Sequence, residues 1–176
     1  MTTSIVFLDF EASSLDAESW PVEVGYAGAC GAEDAFLLSR HGEWSMEHWD
    51  RNSANLHGIS PADLDEFGIA PEAAIDRLAA NLGGAIVVSD APEFENHWLR
   101  RISAAAGRPT PFVVQDWETF LPAGQSQAER DALLTDARSQ EGVRHRAGPD
   151  ARVMRAVWRA SWAWAQADWG DGAAKG

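Results

Sequence analysis

The sequence predicts an α/β fold built on a mixed sheet. Three apolar or alternating runs indicate consecutive strands at residues 5–10, 22–29 and 34–40, with short connections between them. Two further apolar runs, at 85–90 and 111–116, alternate with helical patterns. Short connections favour an antiparallel meander, whereas strands that alternate with helices favour parallel pairing. Both kinds of pairing are therefore expected in one sheet.

Helices are predicted from their start and stop residues. Ser60 precedes Pro61, and Pro is favoured at the first helical position. A second helix is expected from Pro71 to about Asn81, where the sequence NLGG ends it. The stretch 41–60 is expected to be irregular. The remaining helices are predicted within 93–107, over 126–138 and over 149–168, followed by a frayed tail at 169–176.

The composition is that of a single globular domain with an acidic surface. The chain has 176 residues, and 14 basic against 27 acidic side chains give a formal net charge of −13. Such a charge repels polyanions at long range, which argues against electrostatic gripping of long nucleic acids. No apolar run is long enough to span a membrane, no secretory leader is visible, and Cys30 has no internal partner. Cytoplasmic localisation is the default expectation.

Acidic residues recur at the ends of the predicted strands. Strand alternation places Asp9 and Glu11 on one face, where two carboxylates repel each other unless a cation lies between them. Asp90 ends the fourth strand, and Glu93 and Glu95 begin the next helix. Hard divalent cations prefer such all-oxygen sites. Taken singly, each acid is also compatible with a solvated strand end or a helix N-terminus.

A histidine and an aspartate mark the start of the last helix. His145 lies on the loop, and Asp150 lies five positions later in the first helical turn. A loop histidine can act as a general base near neutral pH. By itself, the same pattern also fits an exposed histidine beside a helix-start aspartate.

Together these pieces resemble the DEDDh 3′–5′ exonucleases. The resemblance rests on Asp9-x-Glu11, the acid-bearing segment after the fourth strand, and His145-x4-Asp150, and it covers roughly residues 4–160. The sequence LHGIS at 56–60 is similar to a His-Gly-Ile stretch common in that family. The resemblance implies a ribonuclease-H-like fold, a mixed five-stranded sheet flanked by helices.

The second motif departs from the family pattern. Members usually carry Phe-Asp early in this helix, and here the pair is Phe94-Glu95. Where many members have His-Asn at the strand end, this chain has Asp90-Ala91. Glu95 is the preferred second-motif ligand, and Asp90 is the alternative.

The resemblance also implies roles for individual residues. Two divalent cations, Mg²⁺ or Mn²⁺, would be held by Asp9, Glu11, Glu95 and Asp150, and His145 would be the general base. The substrate would be single-stranded DNA or RNA, cleaved from its 3′ end to nucleoside 5′-monophosphates. The acidic surface favours a short strand. By the same resemblance, the substrate-binding residues are Phe10, Ala12, His57, Gly58 and Ile59. Some relatives form dimers, so a homo-oligomer is an open alternative.

Aromatic and basic side chains near these motifs have two interpretations. Trp98 could stack on a base, but its helical spacing with Phe94 and Ile102 favours a core position. Several arginines could contact phosphates, although many must be paired with the numerous acids: Arg100, Arg101, Arg144, Arg146, Arg152 and Arg155.

Three other interpretations remain at this level. The chain could be a non-catalytic, partner-binding member of the same fold, with Glu95 as the altered position. It could be a haloacid-dehalogenase-type phosphatase, although that family requires Asp-x-Asp and this chain has Glu11. It could also be an acidic interaction module without an active site.

Overall fold

The computed structural model describes residues 4–142 and 145–173. Five strands form one sheet in the order β3-β2-β1-β4-β5. The strands are β1 (Ile5–Ala12), β2 (Pro21–Gly28), β3 (Glu33–Leu37), β4 (Ile86–Ser89) and β5 (Val114–Asp116). β1, β2 and β3 pair antiparallel, whereas β4 pairs parallel with both β1 and β5. The predicted mixed sheet is confirmed, and its meander argues against the phosphatase alternative.

Six α-helices surround the sheet within the described residues. They are α1 (Arg51–His57), α2 (Pro61–Phe67), α3 (Pro71–Leu82), α4 (Pro92–Ala106), α5 (Gln127–Glu141) and α6 (Ala147–Ala173). Ser60 caps α2, and its hydroxyl and the Asp63 carboxylate form a reciprocal capping box. Among these residues, no helix has the length and hydropathy needed to cross a lipid bilayer.

The largest core lies between the sheet and the pair α3 and α4. Leu8 and Val24 of the sheet pack with Leu78 of α3 and Ile102 of α4. Trp98 belongs to this core with 4% of its surface exposed, and its indole N–H donates to the Ser19 hydroxyl at 2.9 Å. The core position predicted for Trp98 is confirmed, because the apolar stripe of α4 faces the sheet.

The stretch 41–60 is more regular than predicted. It contains a 3₁₀ turn at Met46–His48 and the helix α1. The Asp50 carboxylate accepts hydrogen bonds from the backbone N–H groups of Asn52 and Ser53, and Gly58 ends the helix with a φ of 70°. An N-cap aspartate followed eight residues later by a C-terminal glycine was the available signal. The tryptophans of the segment obscured it, because they show no helical period.

Helix α6 differs from its prediction at both ends. It begins at Ala147, two residues before Pro149, and it continues to Ala173, beyond Asp168. Glycine lowers helix propensity without enforcing an end, so Gly170 does not stop the helix. Residues 174–176, part of the predicted tail, lie outside the described residues.

Candidate active site

Three carboxylates from two elements meet beside the centre of the sheet. Asp9 and Glu11 project from the same face of β1, and Asp150 lies in the first turn of α6. One oxygen from each of the three lies within 4.8 Å of the others. The structure therefore brings together the first and last predicted motifs, which are separated by more than a hundred residues in sequence.

The start of α6 reaches this position because two glycines allow close packing. A Cβ atom added to Gly25 of β2 would lie 2.2 Å from the backbone nitrogen of Gly148. That distance is far inside van der Waals contact, so only a residue without a side chain fits there. Gly25 thereby lets the first turn of α6 rest on the strand and places Asp150 beside β1.

The pKa values of the clustered carboxyl groups are raised. Burial, followed by the charges of Asp150 and Glu23, raises the pKa of Glu11 from 4.5 to about 8, although Arg146 partly opposes the change. Burial and the charge of Glu11 also raise the pKa of Asp9 well above its ordinary value. An all-oxygen cluster with this excess of negative charge suits a hard divalent cation. The residues present therefore fit Mg²⁺ or Mn²⁺.

Glu95 faces the same cluster from α4. Its side chain is 2% exposed, and its Oε2 has no hydrogen-bond partner within residues 4–142 and 145–173. Burial, then the charges of Asp9 and Asp90, raise the pKa of this carboxyl. A buried carboxylate oxygen without a partner is costly unless a ligand satisfies it. This is a second observation in favour of cation binding.

Asp90 and Glu93 occupy more peripheral positions than Glu95. Asp90 lines the cleft above the cluster with an exposed side chain. Glu93 lies on another depression beside Asn96 and Arg100. The geometry favours Glu95 over Asp90 as the second-motif ligand, and that assignment remains a prediction.

His145 lies in the cleft immediately before α6. Its backbone has a φ of 58°, in the left-handed region that costs a non-glycine residue about 1–3 kcal/mol. The backbone N–H of the next residue, Arg146, donates to the Asp150 carboxylate at 3.2 Å. The strained turn thus links the predicted base to the predicted metal ligand.

The cleft has a volume of about 240 Å³ and contains residues that the motifs did not predict. Phe10 lines it with the acidic residues, and α5, α6 and the segment after β5 complete its wall. The additional lining residues are Trp117, Leu134, Arg138, Val153 and Met154. No local pattern distinguishes them, because their shared position arises only when α5 packs on α6.

The predicted substrate-binding residues are mostly buried. Phe10 reaches the cleft, but its ring also packs edge-on against Trp98 with centroids 6.3 Å apart. His57 is 5% exposed, and its Nδ1 accepts a hydrogen bond from the backbone of Ile59. Ile59 packs in a small core cluster, and Gly58 and Ala12 lie beside these residues. Their contact with a substrate stays a prediction.

Most of the arginines considered as phosphate contacts form ion pairs. Arg100 is exposed, and Arg144 lies outside the described residues. The other four pair as Arg101–Glu18, Arg146–Glu23, Arg152–Glu141 and Arg155–Glu33.

Comparisons with known proteins identify relatives only through structure. No family model and no curated protein matches the sequence. The chain is similar to exonuclease I from Methylocaldum szegediense, with 15% identity, a TM-score of 0.65, and coverage of 89% of this chain and 39% of that one. E. coli exonuclease I in complex with a dT13 oligonucleotide gives 14% identity, a TM-score of 0.65, and coverage of 92% and 41%. The zinc-bound complex of E. coli exonuclease I with single-stranded DNA gives 15% identity and a TM-score of 0.66, with coverage of 89% of this chain and 39% of that one.

These comparisons agree with the sheet topology. The chain spans about two fifths of the length of the exonuclease I chains, so the likeness concerns one part of those proteins. At this level of identity it establishes the architecture. The chain therefore has the ribonuclease-H-like fold of the DEDDh-type exonucleases.

Proposed function

We propose that the protein is a metal-dependent 3′–5′ exonuclease acting on single-stranded nucleic acid. The observation that carries the proposal is the convergence of Asp9, Glu11 and Asp150 within 4.8 Å. Beside them lies Glu95, whose Oε2 has no hydrogen-bond partner among the residues that the structure describes. This convergence occurs on the fold of enzymes whose structures include single-stranded oligonucleotides. DNA is the first substrate to test, because those oligonucleotides are dT13 and dA16.

The four carboxylates would hold two divalent cations, Mg²⁺ or Mn²⁺. When bound, such cations lower the pKa of water and offset the negative charge that develops on a phosphodiester. The same cations would counter the repulsion between the acidic protein and its substrate. The chain's own contribution is to keep four carboxylates from three elements at one edge of a small cleft.

His145 would accept the proton of the attacking water. The water oxygen forms a bond to phosphorus, the bond from phosphorus to the 3′ oxygen breaks, and a nucleoside 5′-monophosphate leaves. This step requires the neutral form of the imidazole. Asp150 holds the backbone of the loop, so that the imidazole stays over the cleft.

The test is digestion of 5′-labelled single-stranded DNA and RNA oligonucleotides with Mg²⁺ or Mn²⁺. A ladder that shortens from the 3′ end and disappears in chelator is expected. Asp9→Ala should abolish it, whereas Glu66→Ala on the exposed face of α2 should leave it unchanged. Short labelled fragments that arise by cleavage inside the strand, without the stepwise ladder, would contradict an exonuclease.

A non-catalytic protein of the same fold is the second candidate. Glu95 favours it, because glutamate places the carboxylate one methylene farther out than the aspartate of the family motif. Absence of cleavage by the folded protein with either cation would support this candidate. Appearance of cleavage in Glu95→Asp would then identify residue 95 as the cause.

A further inference from the structure

An additional buried glutamate lies beside the acidic cluster. Glu23 of β2 is the register partner of Glu11 on β1, and it is 3% exposed. A fifth nearby carboxylate, beside Asp9, Glu11, Glu95 and Asp150, would weaken the fold by repulsion unless its charge were compensated. Glu23 lies within the second predicted strand, and none of the predicted site roles includes it.

Arg146 compensates Glu23 through a two-pronged contact. Its Nε donates to Oε2 at 2.9 Å, and one terminal nitrogen donates to Oε1 at 2.5 Å. The backbone N–H of Ala147 donates to Oε2 at 2.9 Å as well. Charge-assisted, bidentate pairs of this kind fix orientation as well as position.

The contact holds the two residues that directly follow the strained residue His145. Arg146 follows His145, whose φ of 58° needs support from its surroundings. The backbone N–H of Arg146 donates to Asp150, and Ala147 is the first residue of α6. One buried carboxylate therefore anchors both the loop that carries the histidine and the helix that carries the aspartate.

The Glu23–Arg146 pair also determines the electrostatic environment of Glu11. Glu23 and Arg146 act on the Glu11 carboxylate with opposite signs. If Glu23 lost its charge, the guanidinium would lack its partner and would attract Glu11 instead. Pairing with Arg146 would compete with a cation for the same oxygens.

We propose that Glu23 is a positioning residue of the active site: its bidentate pair with Arg146 holds His145 and Asp150 against Asp9 and Glu11 and keeps the guanidinium away from the cation-binding carboxylates. The catalytic part of this inference rests on the proposed function. The cation-binding part does not require turnover.

The experiment compares Glu23→Gln with Glu33→Gln. Glu33 pairs with Arg155, which also lies on α6, at 2.8 Å, so the control removes a similar contact between the helix and the sheet away from the cleft. Mn²⁺ binding is measured by calorimetry, folding by thermal unfolding, and kcat and KM on a single-stranded oligonucleotide.

Glu23→Gln should lower kcat by about 100-fold, since a displacement near 1 Å can have that effect. KM should change less than kcat, because the proposed role of Glu23 is to position the catalytic groups. Mn²⁺ should bind about tenfold more weakly. Glu33→Gln should leave kcat and Mn²⁺ affinity unchanged.

Two further variants separate positioning from simple stabilisation. Arg146→Lys keeps the charge but cannot bridge both oxygens, so kcat should fall while Mn²⁺ affinity stays near that of the unmodified protein. Adding Arg146→Gln to Glu23→Gln should restore Mn²⁺ affinity, because the competing guanidinium is gone, but not kcat. If Glu23 and Arg146 only stabilised the fold, kcat and Mn²⁺ affinity would fall together in each variant, in proportion to the loss of unfolding temperature.

The inference is overturned if Glu23→Gln and Arg146→Lys retain full kcat, or if Mn²⁺ affinity is unchanged in Glu23→Gln. Failure of this inference can be distinguished from failure of the proposed function. If the unmodified protein cleaves nothing, the nuclease proposal is wrong, and the Mn²⁺ measurements still decide whether the pair protects the cation site.

Discussion

The raised pKa values of the buried acids predict that the cation-free protein becomes less stable as the pH rises. The pKa of Glu11 rises from 4.5 in its ordinary state to about 8 in the fold. Because the folded state binds the proton more tightly, the contribution is fully present below about pH 4.5 and is lost as the pH rises through about 8. The pKa values of Asp9 and Glu95 are also raised in the fold, so these residues contribute to stability with the same sign.

The magnitude follows from the Glu11 pKa shift. At 1.36 kcal/mol per pKa unit, the change for Glu11 corresponds to about 5 kcal/mol over the whole window. Most of that loss falls between pH 5 and 8. For a domain of this size, the unfolding temperature should therefore fall by roughly 10 °C across that range.

The assay is thermal unfolding in chelator at several pH values from 5 to 8, repeated with Mg²⁺ or Mn²⁺. Glu11→Gln should remove much of the slope, whereas the exposed Glu66→Gln should leave it intact. A divalent cation should raise the unfolding temperature most at pH 8, where fewer protons compete with it for the carboxylates. An unfolding temperature that is constant or rises from pH 5 to 8 in chelator would refute this reasoning.

Three more substitutions test other parts of the site. Glu95→Gln should raise the unfolding temperature of the cation-free protein, because it removes a carboxyl group that is buried among other acids. It should also weaken Mn²⁺ binding, measured by calorimetry, at least tenfold. Unchanged affinity would remove Glu95 from the ligand set. His145→Ala should lower kcat by about 10²–10⁴-fold with Mn²⁺ affinity retained, and a smaller loss would exclude a general base. Gly25→Ala should destabilise the protein by about 3 kcal/mol or more in urea unfolding, since its Cβ would overlap the start of α6. Gly42→Ala, which meets no atom within 4 Å, is the control and should have little effect.

The sequence predicted the parts of the molecule that depend on local pattern. Apolar runs defined all five strands, and the short connections defined the meander, because periodicity and turn length act over a few residues. The same logic predicted that Asp9 and Glu11 share a face. The order of the motifs, read as a resemblance, added the topology that periodicity alone leaves open.

Local patterns did not predict contacts between distant segments. The approach of α6 to β2 depends on the close contact between Gly25 and Gly148, and the backbone N–H of Ala147 at the start of α6 donates to Glu23 of β2. Arg138 and Trp117 reach the cleft only because their elements pack against α6. Such positions are set by steric fit and by burial of charge across the whole chain.

The sequence by itself therefore determined the strands, most of the helices and the identity of the acidic motifs. Only the tertiary structure decided that three of those acids meet within 4.8 Å, that Glu95 is buried facing them, and that Glu23 is bound by Arg146. The physical reason is that a carboxylate's chemistry depends on its surroundings. Desolvation and neighbouring charge exist only once the chain has brought its distant segments together.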